Sequence, residues 1–149
     1  MKNNFYLVVT GGAGFVGSNL IKIFLKKTKF KIISIDDYST GKKKNHFKDK
    51  RLIYLKCHTK NISKKLNKYK NKIHSIFHFG EFARIYQSFL KMDKCIESNS
   101  IGSNEVFNFC LQNNIKLIYS ATSASIGNNG LDKNLSPYAF TKAKNLEML

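Results

Sequence analysis

The sequence predicts an α/β domain, a doubly wound parallel sheet of five strands in the order 3-2-1-4-5. Three observations lead there. Short apolar runs alternate with stretches of helical periodicity along the whole chain. The apolar runs are rich in Val, Ile and Leu without clean alternation, as strands covered on both faces are. The first run passes straight into Gly11, Gly14 and Gly17, spaced by two residues each, where an apolar helical pattern begins.

Each element follows in order. Residues 5–10 read as the first strand. Val16, Leu20, Ile23 and Phe24 then mark one helical face. "KIISID" (31–36) is the second strand, and "YSTGKKKNHFKDK" a polar loop or short helix. "RLIYLKC" (51–57) is the third strand. "NISKKLNKY" is a short helix with Asn61 or Ser63 available as N-cap. "HSIFHFG" (74–80) is the fourth strand. Residues 93–112 form a long helix whose buried face is expected at Cys95, Ile96, Asn99, Gly102, Ser103, Val106, Phe107, Cys110 and Leu111. "IKLIYSA" (115–121) is the fifth strand. A last helix starts near Pro137, where a missing N–H costs nothing, and still runs at Leu149. The βαβ order puts helices on both faces of a parallel sheet.

Length and composition narrow the function. A chain of 149 residues with 42% hydrophobic content suits one domain with a real core. No apolar stretch approaches the ~20 residues that span a bilayer, so no membrane partner is expected. The first apolar run ends at Val9 in glycines, unlike a secretory signal. Cys57, Cys95 and Cys110 are odd in number and widely spaced, which points to a reducing cytoplasm. His46, His58, His74 and His78 lack zinc spacing, and no metal is expected.

The net charge is +17, and 19 of the 26 Lys and Arg fall in residues 1–72. Such a half-chain could attract nucleic acid. Yet the aromatics follow strand and helix patterns instead of interleaving with the lysines. Lysine arrives together with many Asn, Ile and Phe, the bias of an A/T-rich coding sequence. The basic surface therefore reads as solvated lysine, with no nucleic-acid partner.

The glycine turn carries the first chemistry. A helix N-terminus has unpaired N–H groups and a positive dipole end, so it suits an anion. Gly11 permits the tight turn, Gly14 lets a pyrophosphate approach the backbone, and Gly17 lets helix and strand pack closely. Asp36 ends the second strand about 20 residues on, where a ribose-binding carboxylate belongs.

"TGGAGFVG" has the form T-G-x-x-G-x-x-G and resembles the extended short-chain dehydrogenases/reductases, the NAD-dependent epimerases and dehydratases of nucleotide sugars. Other segments resemble the same family in order. "IDDYSTGKKKN" resembles the segment after its second strand, "IFHFGEFARIYQS" its fourth strand and cofactor-covering loop, and "YSATSASIG" its active-site turn. "SPYAFTKAKN" carries Y-x-x-x-K at Tyr138 and Lys142. The resemblance implies a Rossmann fold with NAD as cofactor. It implies cofactor contacts from Gly11, Gly14, Phe15, Val16, Gly17, Asp36, Gly80, Asn99, Tyr138 and Lys142. It implies catalysis by Tyr138, Lys142 and Thr122 on a nucleotide sugar, after the manner of a UDP-glucose 4-epimerase. A homodimer through the 93–112 and 138–149 helices is expected.

Tyr138 and Lys142, four apart, share a helix face. A phenol ordinarily has a pKa near 10. A neighbouring ammonium and an oxidised nicotinamide favour its phenolate and make it a usable base. Thr122 aligns with the Ser/Thr that binds the same sugar hydroxyl.

There are departures from the family pattern. Cys57-His58-Thr59 replaces the Asp usual near the adenine. Glu81 stands where a small residue is usual, and a local ion pair with Arg84 is expected for it. Ser123 and Ala124 replace the Asp and Glu of the dehydratases, which favours epimerisation or reduction. The loop from Gly127 to Tyr138 is short. Family chains continue past the Y-x-x-x-K helix, so the sequence reads as the NAD-binding N-terminal portion of such an enzyme.

Overall fold

A computed structural model describes residues 4–123 and 126–149. Its sheet is parallel, in the order β3-β2-β1-β4-β5. The strands are β1 (Tyr6–Thr10), β2 (Lys31–Asp36), β3 (Leu52–Lys56), β4 (Ile73–His78) and β5 (Lys116–Tyr119). In register, Val8 lies beside Ile33 and Ile76, and Val9 beside Ser34 and Phe77. The doubly wound sheet expected from the sequence is the one found.

The two faces carry separate cores. On one, Val8, Ile33, Ile35 and Ile76 pack with Ile62 and Leu66 of α2 (Ile62–Leu66) and with Val106, Phe109 and Cys110 of α5 (Ser103–Gln112). On the other, Val9 and Ile32 meet Ile21 of α1 (Phe15–Lys27), with Phe24, Leu25, Phe77 and Phe79 around them. Alternate side chains of one strand thus feed opposite layers.

Three expectations change. α1 buries Gly17, Ser18 and Ile21, whereas Val16 and Ile23 are exposed. The reason is local: Gly17 must face the turn, and that fixes the rotation of the helix. The long helix is α4 (Met92–Ile96), a π-helical stretch at Glu97–Gly102, and α5. Cys95, Asn99, Gly102, Ser103, Val106 and Cys110 are buried as expected, whereas Ile96 and Leu111 point to solvent and Phe109 is buried. A further short helix, α3 (Ile85–Leu90), precedes it and had no sequence signal.

α6 (Pro137–Met148) begins as the sequence requires. Pro137 occupies its first turn, and Ser136 caps it by accepting from Ala139 N at 3.0 Å. α6 packs on α3, α4 and the π stretch, which brings its polar face to the end of β4. β5 is shorter than expected and forms one edge of the sheet.

Candidate active site

The glycine turn is built by exclusion. Gly11 has φ +67°, and a Cβ there would lie 2.7 Å from the Phe79 carbonyl oxygen. A Cβ on Gly17 would lie 2.3 Å from the Gly11 carbonyl oxygen, so only glycine lets α1 sit this close to the turn. Gly14 is the N-cap of α1. No side chain caps that helix, and its first turn holds no acidic residue. Phe15 and Val16 stand exposed at this N-terminus. The start of α1 keeps the bare N–H groups and positive dipole end that an anion requires.

Asp36 is buried beside it. Its Oδ2 accepts from Ala13 N at 2.9 Å and its Oδ1 from Tyr38 N at 2.8 Å. The carboxylate therefore ties β2 to the glycine turn and to the loop that follows. Asn45 and the Lys42 backbone close the same loop onto the Ala13 carbonyl. His58 caps the turn at Thr59–Asn61, its Nδ1 accepting from Lys60 N.

A chain of buried hydrogen bonds leads from this turn to α6. Thr10 Oγ1 accepts from Phe79 N and Gly80 N at 3.1 and 2.9 Å, and lies 2.7 Å from His78 Nδ1. His78 Nε2 lies 2.9 Å from Ser103 Oγ, which donates to Glu81 Oε1 at 2.8 Å. The donors fix one polarity: Thr10 donates to Nδ1, Nε2–H donates to Ser103, and Ser103 donates to Glu81. Burial holds the His78 pKa down at about 4, against an opposing pull from Glu81. The ring is neutral, as this polarity demands.

Glu81 is the hub. Its Oε1 also accepts from Tyr119 OH at 3.0 Å and Asn145 Nδ2 at 3.1 Å, and its Oε2 from Lys142 Nζ. Four donors converge on this one carboxylate, three on Oε1 and one on Oε2. The side chains of Glu81 and Lys142 are each only 4% exposed. Lys142 also donates to the Ser120 carbonyl and sits over the Tyr119 ring, 4.2 Å from its centre. Burial lowers the Lys142 pKa, while the Glu81 carboxylate raises it again. Burial and the same carboxylate hold the Tyr119 hydroxyl well above the ordinary phenol value.

The expected Glu81–Arg84 pair is thus replaced. Glu81 turns inward to Lys142, sixty-one residues away, and Arg84 is exposed. Local spacing suggested the nearer cation, but burial of the carboxylate demands the partner that is also buried.

Tyr138 and Lys142 line one small cavity, about 60 Å³, with Phe79, Glu81, Phe82, Ala83 and Ser120. Gly80 lies between Phe79 and Glu81, and a Cβ on it would come 3.0 Å from Gly11 N. The end of β4 therefore joins the glycine turn to the Tyr138–Lys142 face. Asn99, in the π stretch, clamps the same loop: Oδ1 accepts from Phe82 N at 2.6 Å, and Nδ2 donates to the Phe82 carbonyl at 3.1 Å. Thr122 follows β5, partly exposed. Ala124 lies outside the described residues.

The profile of the NAD dependent epimerase/dehydratase family matches residues 7–149. The chain belongs to that family. It is 28% identical over 155 residues to the ADP-L-glycero-D-manno-heptose-6-epimerase of Brachyspira hyodysenteriae, covering 91% of the chain and 45% of that protein. It superposes on the Thermotoga maritima UDP-glucose 4-epimerase with UDP-glucose at TM-score 0.84 and 22% identity, over 97% of the chain and 50% of that enzyme. The Thermus thermophilus UDP-glucose 4-epimerase complex with NAD gives 0.81 and 21%, over 97% and 49%. The chain thus spans about half the length of the relatives it matches.

Family membership places Glu81 in relief. The sequence flagged it as unusual for its position, but its connection to Lys142 had no local signal. The four donors it collects come from α5, β5 and α6, elements that only the tertiary fold brings together. Among the described residues no group of three or more His, Cys, Asp or Glu could hold a metal, and no helix is long and apolar enough to cross a membrane.

Proposed function

We propose that the chain is the NAD-binding part of a nucleotide-sugar epimerase. The observation that carries this is the junction at the end of β4. Gly80 lies against the Gly11 turn, while its neighbours line the cavity shared by Tyr138 and Lys142. A dinucleotide lying across that junction meets the α1 N-terminus with its pyrophosphate and Asp36 with a ribose. Phe15, Val16 and Asn99 border the same path, Asn99 through the loop it clamps.

NAD supplies a hydride acceptor that can return the hydride to the sugar's other face. The chain supplies the proton handling. Tyr138 removes the proton from the sugar hydroxyl and gives it back. Thr122 hydrogen-bonds the same hydroxyl. Lys142, fixed by Glu81 and the Ser120 carbonyl, has a third N–H with which to hold the cofactor ribose beside Tyr138. Ser123 and Ala124 favour epimerisation over dehydration, and the epimerases among the relatives support that choice. Pairing with a second copy draws on apolar residues exposed on the 93–112 and 138–149 helices, among them Ile101, Phe140 and Leu146.

The half-length coverage supports a second reading, a dinucleotide-binding piece with no turnover of its own. Calorimetric titration with NAD tests what the two readings share. Saturable binding that is lost on Gly17→Ala is expected. Absence of binding by the folded chain overturns both.

A further inference from the structure

We propose that Glu81 is the counter-charge of Lys142, and that it tilts the site toward the oxidised, cationic nicotinamide over the reduced, neutral one. The inference rests on the NAD reading above. Lys142 places a positive charge in the cavity it shares with Tyr138, where the nicotinamide end of the cofactor arrives. An uncompensated ammonium there opposes a second positive charge. In this chain the ammonium is held by a carboxylate buried as deeply as itself.

The carboxylate is not placed there incidentally. Ser103, Tyr119 and Asn145 all donate to Oε1, leaving Oε2 for Lys142. Donors of this kind lock the carboxylate in position. The residue directly before it, Gly80, packs on the glycine turn, so the charge is anchored at both ends of the site. Oxidised and reduced nicotinamide differ by one unit of charge at the ring. A unit charge removed about 6 Å away, at an effective dielectric of about 20 to 40, is expected to change their relative affinity about ten- to a hundredfold.

The experiment is a pair of titrations, with NAD⁺ and with NADH, on the whole 149-residue chain and on Glu81→Gln. Glutamine keeps the side-chain shape and one carbonyl acceptor but removes the charge. The expected result is a fall of about ten- to a hundredfold in the ratio Kd(NADH)/Kd(NAD⁺). Lys142→Met creates the opposite imbalance and should raise that ratio. It carries the test if Glu81→Gln does not fold. A ratio that stays within twofold of the parent in a folded variant overturns the proposal, as does a shift of the wrong sign. If the folded parent binds neither dinucleotide, the NAD reading fails and this proposal with it. If it binds both and the ratio is insensitive to charge, only this proposal fails.

Discussion

At the scale of single residues, a few positions have no substitute. Gly17→Ala puts a methyl 2.3 Å from the Gly11 carbonyl oxygen, against backbone with no room to move. Overpacking of that kind costs about 2 kcal/mol or more. At this size a loss of that order lowers Tm by roughly 4–8 °C, which a thermal melt will read. His78 gives a pH dependence with a definite sign. It stays neutral in the fold down to about 4, while the unfolded chain protonates near 6.5. The unfolded state therefore binds more protons between those values. The stability tied to the neutral ring is whole above pH 6.5 and is lost as the pH falls toward 4, on the order of 3 kcal/mol. Denaturant melts at pH 7 and pH 5 should differ accordingly, and His78→Gln should flatten the difference. Asp36 should favour NAD over NADP, because a buried carboxylate repels a 2′-phosphate. Lys42, Lys43 and Lys44 offer that phosphate a counter-charge, but from an exposed loop. Equal affinity for the two cofactors, or no narrowing of the gap in Asp36→Ala, would count against this role.

At the scale of elements, the sequence was legible where backbone geometry dictates the residue. The glycine spacing, the Asp at the end of β2 and the Pro at the start of α6 each satisfy a local requirement, and each was read from a few neighbours. The apolar pattern does not give the rotation of α1, because two of its three buried positions are Gly17 and Ser18, beside Ile21, while Val16 and Ile23 face solvent. Hydrophobic periodicity does not register a helix that is held by close backbone approach. The π stretch was invisible because one added residue per turn leaves no mark on composition. It nonetheless places Asn99 where it reaches the Phe82 backbone and Thr141 Oγ1 together. Asn99→Ala should therefore free the 79–84 loop. Hydrogen exchange at Phe82 N should quicken, while β1 and β2 stay protected.

At the scale of the whole molecule, the chain presents a five-stranded sheet with β5 at one edge, and exposed apolar residues along α4–α5 and α6. Association of copies at tens of micromolar is expected in size-exclusion chromatography. Ile101→Lys with Leu146→Lys should lower the apparent mass without weakening NAD binding. A monomer at every concentration would rule the pairing out. In a full-length protein carrying this sequence, Tyr138→Phe should abolish epimerisation and leave NAD bound, since the ring keeps its packing and only the base is lost. The buried file of hydroxyl, imidazole and carboxylate at the end of β4 adds an internal reporter. The Nε2 proton of His78 is sealed from water and committed to Ser103. Such a proton exchanges slowly enough to be seen directly by NMR, far downfield of the amides. It stands between the glycine turn and α6. Its chemical shift should respond to a dinucleotide arriving at one end and to a change in Lys142 at the other, so a single resonance can follow the state of the site in solution.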